Sequence, residues 1–365
     1  MTKILYITNQ ICGSGGLERV LSIKASYLAD VLDYEVHILT LNQGNNPLFF
    51  EFSKKIMHHD ITAIGNPFSY FKSYLFGIKK IIQEIKPEII LVCDDGFKAF
   101  FLPILLMKPC PMIYERHVSK NVESNEKDSP LKILTNKTKF VLMDLLSGTY
   151  DKFVVLTQEN TLEWKNNNLE VIANPLTFYP NSTSNLKNKT VIAVGKHCYQ
   201  KGYDRLLQSW KIVHKKNPDW TLKIFGTIAT NENLLGLSQK LNIEQSIQFF
   251  APEKNIEKQY QEASIFVLSS RYEGFGMVII EAMACGLPCV SFECPCGPKD
   301  IINNNKDGFL IENGAIIEFA NKVNLLIEDE NLRFEMGKKA RENVKRFQPE
   351  IVVKMWHELF KKLLS

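Results

Sequence analysis

The stretch Arg271-Tyr-Glu-Gly-Phe-Gly-Met-Val-Ile-Ile-Glu281-Ala-Met-Ala-Cys-Gly-Leu-Pro288 decides the fold. The apolar run Ile265-Phe-Val-Leu268 before it reads as a buried strand. Met277 to Ala284 favours helix, and Gly286 with Pro288 ends it. The order is strand, glycine-containing loop, helix. Glu273 lies on the loop, and Glu281, eight residues on, lies inside the helix. In an open parallel sheet, ligands bind where strands end and helices begin. A helix start presents unpaired N–H groups and a partial positive charge, which suit a phosphate. Gly276 and Met277 stand at that start, and two carboxylates beside it are placed to hold sugar or ribose hydroxyls. Taken alone, the pattern is equally that of a buried strand–loop–helix unit with solvated acids.

The same order recurs upstream. Thr190-Val-Ile-Ala-Val194 is a strand, Gly195-Lys196-His-Cys-Tyr-Gln-Lys201-Gly202 a loop, and Tyr203 to His214 a helix. Two lysines flanked by glycines on such a loop make a phosphate clamp, point charges beside N–H groups, or else an ordinary solvated surface. Further strands are Trp220 to Gly226, Ile247 to Phe250, Cys289 to Phe292 and Gly308 to Ile311. Gly226 is placed for close backbone approach.

The first half has the same rhythm. Lys3-Ile-Leu-Tyr-Ile-Thr8 suits a central parallel strand. The loop Asn9 to Gly16 holds Gly13, Gly15 and Gly16, and a helix starts at Leu17. This loop is neither a dinucleotide fingerprint nor a P-loop. Strands follow at Glu35–Thr40, Ile56–Ile61, Glu88–Cys93, Met112–Glu115, Phe153–Leu156 and Leu169–Ala173, with helices at Phe68–Ile85 and Leu131–Leu146. The alternation predicts α/β architecture, parallel sheets with helices on both faces. Asn174-Pro175 stops regular structure, and the polar run from Pro180 to Lys189 reads as a linker. Two doubly wound domains result, 1–175 and 190–346, joined by 176–189 and followed by an amphipathic segment, 347–365. Glycine-rich loops would line a cleft between them, the default ligand position in this architecture.

The 365 residues suit two domains, and a formal charge of +4 gives little support for nucleic-acid binding. No signal peptide or membrane-spanning run is evident, so a cytoplasmic protein is expected. Peripheral contact with the inner membrane stays open: Leu131–Leu146, with interleaved lysines, is a packed helix or a surface leaning on lipid. The eight cysteines read as free thiols. Cys285, Cys289, Cys294 and Cys296 crowd together but fit no zinc signature, and no metal is expected. Asp94-Asp95 reads as a turn and helix cap. His117 sits just past a strand's C-terminal end, where this architecture places ligands. Residues 118–129 read as a polar loop.

This order of features resembles the retaining glycosyltransferases of the GT-B fold, family 4 (glycosyl transferases group 1). The resemblance rests on Gly-Gly-Leu-Glu18 after the first strand, Ala-Asn174-Pro175, the loop from Gly195-Lys196 to Gln-Lys201-Gly202-Tyr-Asp-Arg-Leu-Leu, the Glu273-to-Pro288 segment, and Asn-Lys-Asp-Gly308-Phe-Leu-Ile. It covers the second domain densely and the first thinly. It implies that Lys196 and Lys201 neutralise a donor diphosphate. The family more often has arginine at the first of these positions, so a bidentate grip is replaced by a point charge. It implies Glu281 on the ribose hydroxyls, Glu273 near the donor sugar, the N–H groups at Gly276 and Met277 on phosphate, and Gly15 and Gly16 near the diphosphate or acceptor. His117 matches loosely a histidine placed near the donor sugar, with Arg116 beside it. The final helix would cross back to the first domain.

The implied reaction moves a sugar from a nucleotide sugar to a hydroxyl with retention, without cofactor or metal. The acceptor would be a glycan or lipid-linked saccharide of a bacterial surface polysaccharide or lipopolysaccharide. Cys294-Pro-Cys-Gly-Pro298 resembles a loop of bacterial enzymes using UDP-sugars such as UDP-GalNAc or UDP-Gal, and the donor expected here is a UDP-sugar of that kind or UDP-GlcNAc. A nucleotide-sugar epimerase and a non-catalytic nucleotide-sugar binding protein share the architecture and stay open as alternatives.

Overall fold

The computed structural model describes residues 1–120, 129–228 and 232–365, so most of the polar loop expected over 118–129 lies outside the described residues. The chain divides into two compact units, Met1–Thr177 with Pro349–Ser365, and Phe178–Gln348.

The first unit carries seven strands: β1 (Lys3–Thr8), β2 (Glu35–Leu41), β3 (Met57–Ile61), β4 (Ile89–Cys93), β5 (Met112–Glu115), β6 (Lys152–Val155) and β7 (Leu169–Val171). Their order is β3-β2-β1-β4-β5-β6-β7, and every pair is parallel. Because side chains alternate across a strand, residues of β1, β2 and β4 feed two cores, one on each face of the sheet. On one face, Leu5, Ile7, Ile90 and Val92 meet the helix Pro67–Ile85, the helical segment 97–106 and the helix Pro130–Ser147. Phe153 there lies against Tyr114, Trp164 and Phe100, with ring centroids 4.9, 4.4 and 6.2 Å away. On the other face, Ile4, Tyr6, Ile38 and Leu91 meet the helix Gly16–Asp30 and the last helix, Pro349–Leu364. Val352, Val353, Trp356, Leu359 and Phe360 of that last helix are buried in this core, whereas Ile351 and Met355 stay exposed. The helix Pro130–Ser147 buries Met143 and Leu146 and leaves Leu134, Val141 and Leu145 in solvent.

The second unit carries β8 (Thr190–Val194), β9 (Thr221–Phe225), β10 (Ile247–Phe250), β11 (Ile265–Leu268), β12 (Cys289–Phe292) and β13 (Gly308–Ile311). Their order is β10-β9-β8-β11-β12-β13, again parallel throughout. The order reverses between β8 and β11, the topological switch point at which such sheets bind ligands. In the first unit the reversal falls between β1 and β4.

The stretch expected to be a linker differs from that reading. From Phe178 onward it belongs to the second unit, and Ser184 and Leu186 are buried. The Ser184 N–H donates to Cys285 O at 2.9 Å, and Arg333 Nε donates to Leu186 O at 3.0 Å. Its polar side chains also bond neighbouring backbone: the Ser184 hydroxyl donates to Ala263 O at 2.5 Å and Asn188 Nδ2 to Glu262 O at 2.9 Å. Among the described residues, no helix is long and apolar enough to cross a membrane.

Candidate active site

The loop after β8 and the loop after β11 meet at the switch point of the second unit, and named bonds hold them together. The Ser269 hydroxyl donates to Lys201 O at 2.8 Å, the Arg271 N–H to Gln200 O at 2.7 Å, and Gln200 Nε2 to Tyr272 O at 3.1 Å. The backbones approach closely enough that a Cβ on Gly202, at φ +61°, would lie 2.2 Å from Ser269 O. Gly226, at the end of β9, is equally constrained: a Cβ there would stand 1.9 Å from Gly195 O.

Side chains reinforce the junction. Arg271 donates to both carboxylate oxygens of Asp204 at 2.9 and 2.7 Å, and its guanidinium lies 3.9 Å from the Tyr199 ring centroid. This bidentate, stacked geometry is one that a lysine cannot reproduce. Burial of Asp204 opposes its charge, but the bonds and charge of Arg271 outweigh it and hold the carboxyl below its usual range. Of the residues expected around a donor, Lys201 and Glu273 are in direct contact here. Lys201 Nζ donates to Glu273 Oε1 at 2.7 Å, and the Ser270 hydroxyl reaches the same oxygen at 2.5 Å. Burial disfavours the Lys201 ammonium, but the Glu273 carboxylate more than compensates and raises its pKa, so the lysine is charged at neutral pH. Lys196 is exposed on the same loop.

Gly276, at φ +102°, is the N-cap of the helix Met277–Ala284 and, lacking a side chain, makes no cap bond to its first N–H groups. The loop 294–298 backs it: a Cβ on Gly297 would lie 2.0 Å from Phe275 O. Glu281 is placed differently from Glu273. It is 2 % exposed inside the helix, and the Tyr260 hydroxyl lies 3.4 Å from its Oε2.

The first unit holds its own candidates at strand ends. Gly15 is the N-cap of the helix Gly16–Asp30 and makes no side-chain cap bond. The Glu18 carboxylate folds back so far that a Cβ on Gly15 would meet it at 2.6 Å. Past β5, Arg116 Nη1 donates to Asp95 O at 2.8 Å and the His117 N–H donates to Asp95 Oδ1 at 3.2 Å. The neighbouring Asp94 carboxylate accepts from the Gly96 N–H at 2.8 Å and from Asn9 Nδ2 at 2.7 Å, the turn expected of it. His117 Nε2 is 3.3 Å from Glu115 Oε1.

Glu115 is the residue that sequence reasoning missed in the first unit, together with Lys24, whose ammonium contacts its other oxygen. Lys24 did leave a signal, because it interrupts the apolar helical stripe of Val20, Leu21, Ala25 and Leu28. Among the described residues, one set of three metal-ligand types converges: Cys93, Glu115 and His117, with ligand atoms within 4.8 Å of one another. The Lys24 ammonium already supplies the positive charge that a cation would bring to Glu115. Cys285, Cys289, Cys294 and Cys296 are buried thiols in no disulfide, and burial pushes the Cys285 and Cys289 thiols up.

The family described as Glycosyl transferases group 1 matches residues 178–343. An uncharacterized glycosyltransferase of Haemophilus influenzae is 33% identical over 364 residues, covering 98% of this chain and 99% of the relative. The amylovoran biosynthesis glycosyltransferase AmsD of Erwinia amylovora is 29% identical over 374 residues, covering 98% and 99%. The crystal structure of HepE from Anabaena in complex with UDP and glucose superimposes with a TM-score of 0.80 at 19% identity, covering 100% of both chains. That likeness establishes the GT-B fold, two Rossmann-like domains.

The Arg271–Asp204 pair gives a signed pH dependence. A carboxyl whose folded pKa lies below its ordinary 3.8 adds stability that is complete above that value and lost as pH falls through the lower folded one. Urea unfolding of wild type and Asp204→Asn is expected to show a stability gap at neutral pH that closes in acid below 3.8. A gap of constant size across that range would contradict this account of the pair.

Proposed function

The chain belongs to the group 1 glycosyltransferases, and from that premise we propose that it moves a hexose or N-acetylhexosamine from a UDP-linked donor to a hydroxyl of a bacterial surface glycan, with retention of anomeric configuration. The observation that carries this reading is the convergence of Lys201, Glu273 and the uncapped start of the helix Met277–Ala284 at the switch point of the second unit. The UDP seen in HepE and the amylovoran biosynthesis named for AmsD support the choice of donor and pathway class.

In such a reaction the bond from the anomeric carbon to the diphosphate oxygen breaks, and the charge grows on the departing phosphate. Lys201 and Lys196 meet that charge, and the N–H groups at Gly276 and Met277 add the field of a helix N-terminus. Lys201 is held for this by Glu273 and is charged before the donor arrives. The acceptor oxygen forms the new bond on the same face, and its proton leaves with the phosphate. Glu281 takes the ribose hydroxyls beside Tyr260. Gly15 and Gly16 present backbone N–H groups at the first unit's helix start, and His117 with Arg116 serves the donor sugar. No metal or cofactor enters this scheme.

The acceptor is proposed to be lipid-linked, because one face of the first unit suits an anionic membrane. The segments 67–85, 97–108 and 130–147 cover the same face of the sheet and together carry Lys72, Lys79, Lys80, Lys98, Lys108, Lys132, Lys137 and Lys139 against two acids, Glu84 and Asp144. Phe68, Phe76 and Met107 are 79%, 71% and 82% exposed among these lysines. Apolar side chains inserted between lipids, with lysines at the headgroups, is the pattern of an interfacial contact.

Two outcomes are expected. Lys201→Met lowers turnover of the proper UDP-sugar by about 100-fold or more, the scale for loss of one charge that stabilises a leaving group. Wild-type turnover in that variant, or interconversion of UDP-sugars without any acceptor, would overturn the transfer reading. In flotation assays the protein binds vesicles containing phosphatidylglycerol, and the triple variant Phe68→Ser, Phe76→Ser, Met107→Ser binds them at least about tenfold less. Equal binding by both proteins would remove the membrane-facing assignment.

A further inference from the structure

The outer side of the last helix, Pro349–Leu364, is used neither by the transfer scheme nor by the lysine-rich face. Its inner side, with Val352, Val353, Trp356 and Phe360, is fixed in a core of the first unit, so the outer side stands on a rigid support. That core lies on the opposite face of the sheet from the segments proposed to meet lipid. Two ridges, each with a residue every four positions, run along the helix. Ile351, Met355 and Leu359 form one, and Ile351 and Met355 are 44% and 45% exposed. Glu350, Lys354, Glu358 and Lys362 form the other, all of them exposed. A groove of about 750 Å³ lies alongside both ridges and is bounded also by Glu170 of β7, a strand at the edge of the sheet.

A solvated helix commonly places a glutamate four residues before a lysine so that the two pair within the helix. Here they do not. Among the described residues, Glu350, Lys354 and Lys362 make no ion pair, and Glu358 meets Lys361 at 3.8 Å instead of Lys362. The charges are open to an outside partner, and their order says which. The signs alternate minus, plus, minus, plus. Read backwards, the ridge is its own complement. Two copies laid antiparallel about a two-fold axis therefore match at every position, Glu350 against Lys362 and Lys354 against Glu358, with the same two pairs again on the other side of the axis. Packing of four-residue ridges from two helices, at a crossing angle of about −50°, is the commonest helix contact, and it places such ridges side by side. Ile351 and Met355 would be covered in the same contact. Equal numbers of acids and lysines give no attraction to an anionic bilayer or to nucleic acid, in contrast to the lysine face.

We propose that this side of the last helix is a homodimer contact, in which the helices of two copies cross antiparallel about a two-fold axis and pair Glu350 with Lys362 and Lys354 with Glu358 between chains. A two-fold contact uses the same patch on both chains, so it needs a surface that complements itself. Two apolar residues and four charges per chain make a small contact, and the dimer is expected to form and dissociate with concentration. The lysine face lies across the sheet, so both contacts can be made at once. The dimer does not depend on the transfer reading.

The test is sedimentation velocity of the full chain over a wide concentration range, with native mass spectrometry of mixtures. Wild type is expected to pass from monomer to dimer as concentration rises. Glu350→Lys with Glu358→Lys makes a ridge of four lysines, and Lys354→Glu with Lys362→Glu makes one of four glutamates. Each double variant alone dimerises at least about tenfold more weakly, because like charges then face each other. An equimolar mixture of the two forms a one-to-one heterodimer at least as readily as wild type forms its homodimer. All four positions are exposed, so the first unit keeps its fold, which circular dichroism checks. A wild type that is monomeric at every concentration, or a dimer that neither double variant weakens, would overturn the proposal. So would a mixture that stays monomeric, because the ridges then do not meet. Vesicle binding by wild type that both double variants lose would give this face to lipid and would equally overturn it.

Discussion

The second unit depends on the ion pair between Lys201 and Glu273. It joins the loop after β8 to the loop after β11 across the point where strand order reverses, 2.7 Å from nitrogen to oxygen. An exposed pair of this kind contributes little to stability. This one is largely buried, shares its acceptor oxygen with Ser270, and lies where Arg271 and Asp204 brace the same two loops. The pair holds the Lys201 ammonium at the junction of the two loops, and Gly276, the N-cap of the following helix, has no side chain to make a cap bond. On the proposed reading an anion bound there would meet an ammonium and backbone dipoles already in place, which lowers the reorganisation cost of leaving-group departure. The glycines are part of the same constraint. Gly202 and Gly226 stand where backbone oxygens approach so closely that any side chain would part the loops.

The strands were legible because a parallel sheet buries both faces, which turns each strand into a short apolar run bounded by glycine or polar residues. Boundaries differ from the sequence reading by one or two residues in most elements, as at Phe153–Leu156 against the observed Lys152–Val155. The helix start after Gly276 was equally visible, because glycine at a positive φ followed by Met-Val-Ile-Ile leaves few alternatives. Long-range partners were not legible. Nothing local ties Arg271 to Asp204, 67 positions upstream, or Lys201 to Glu273, 72 positions downstream. The stretch 178–189 misled for the same reason: its serines and asparagines look solvated until the backbone they bond appears beside them. Glu281 shows a further limit. Its spacing from Glu273 was clear, but not that Tyr260 comes to its carboxylate from the helix Ile256–Gln261.

The two units solve the problem of a charge at a strand end in opposite ways. In the second, Lys196 and Lys201 sit on the loop after β8, Lys196 in solvent and Lys201 paired with Glu273. In the first, the lysine is inside. Lys24 is covered by Trp356 and pairs with Glu115, whose other oxygen faces His117 Nε2 at 3.3 Å.

The placement of the donor phosphates is most directly tested by hydrogen–deuterium exchange of the full chain with and without saturating UDP. UDP is expected to slow exchange at backbone amides of 195–202 and 274–279 in the second unit. Protection confined to other segments, or none at saturation, would contradict it.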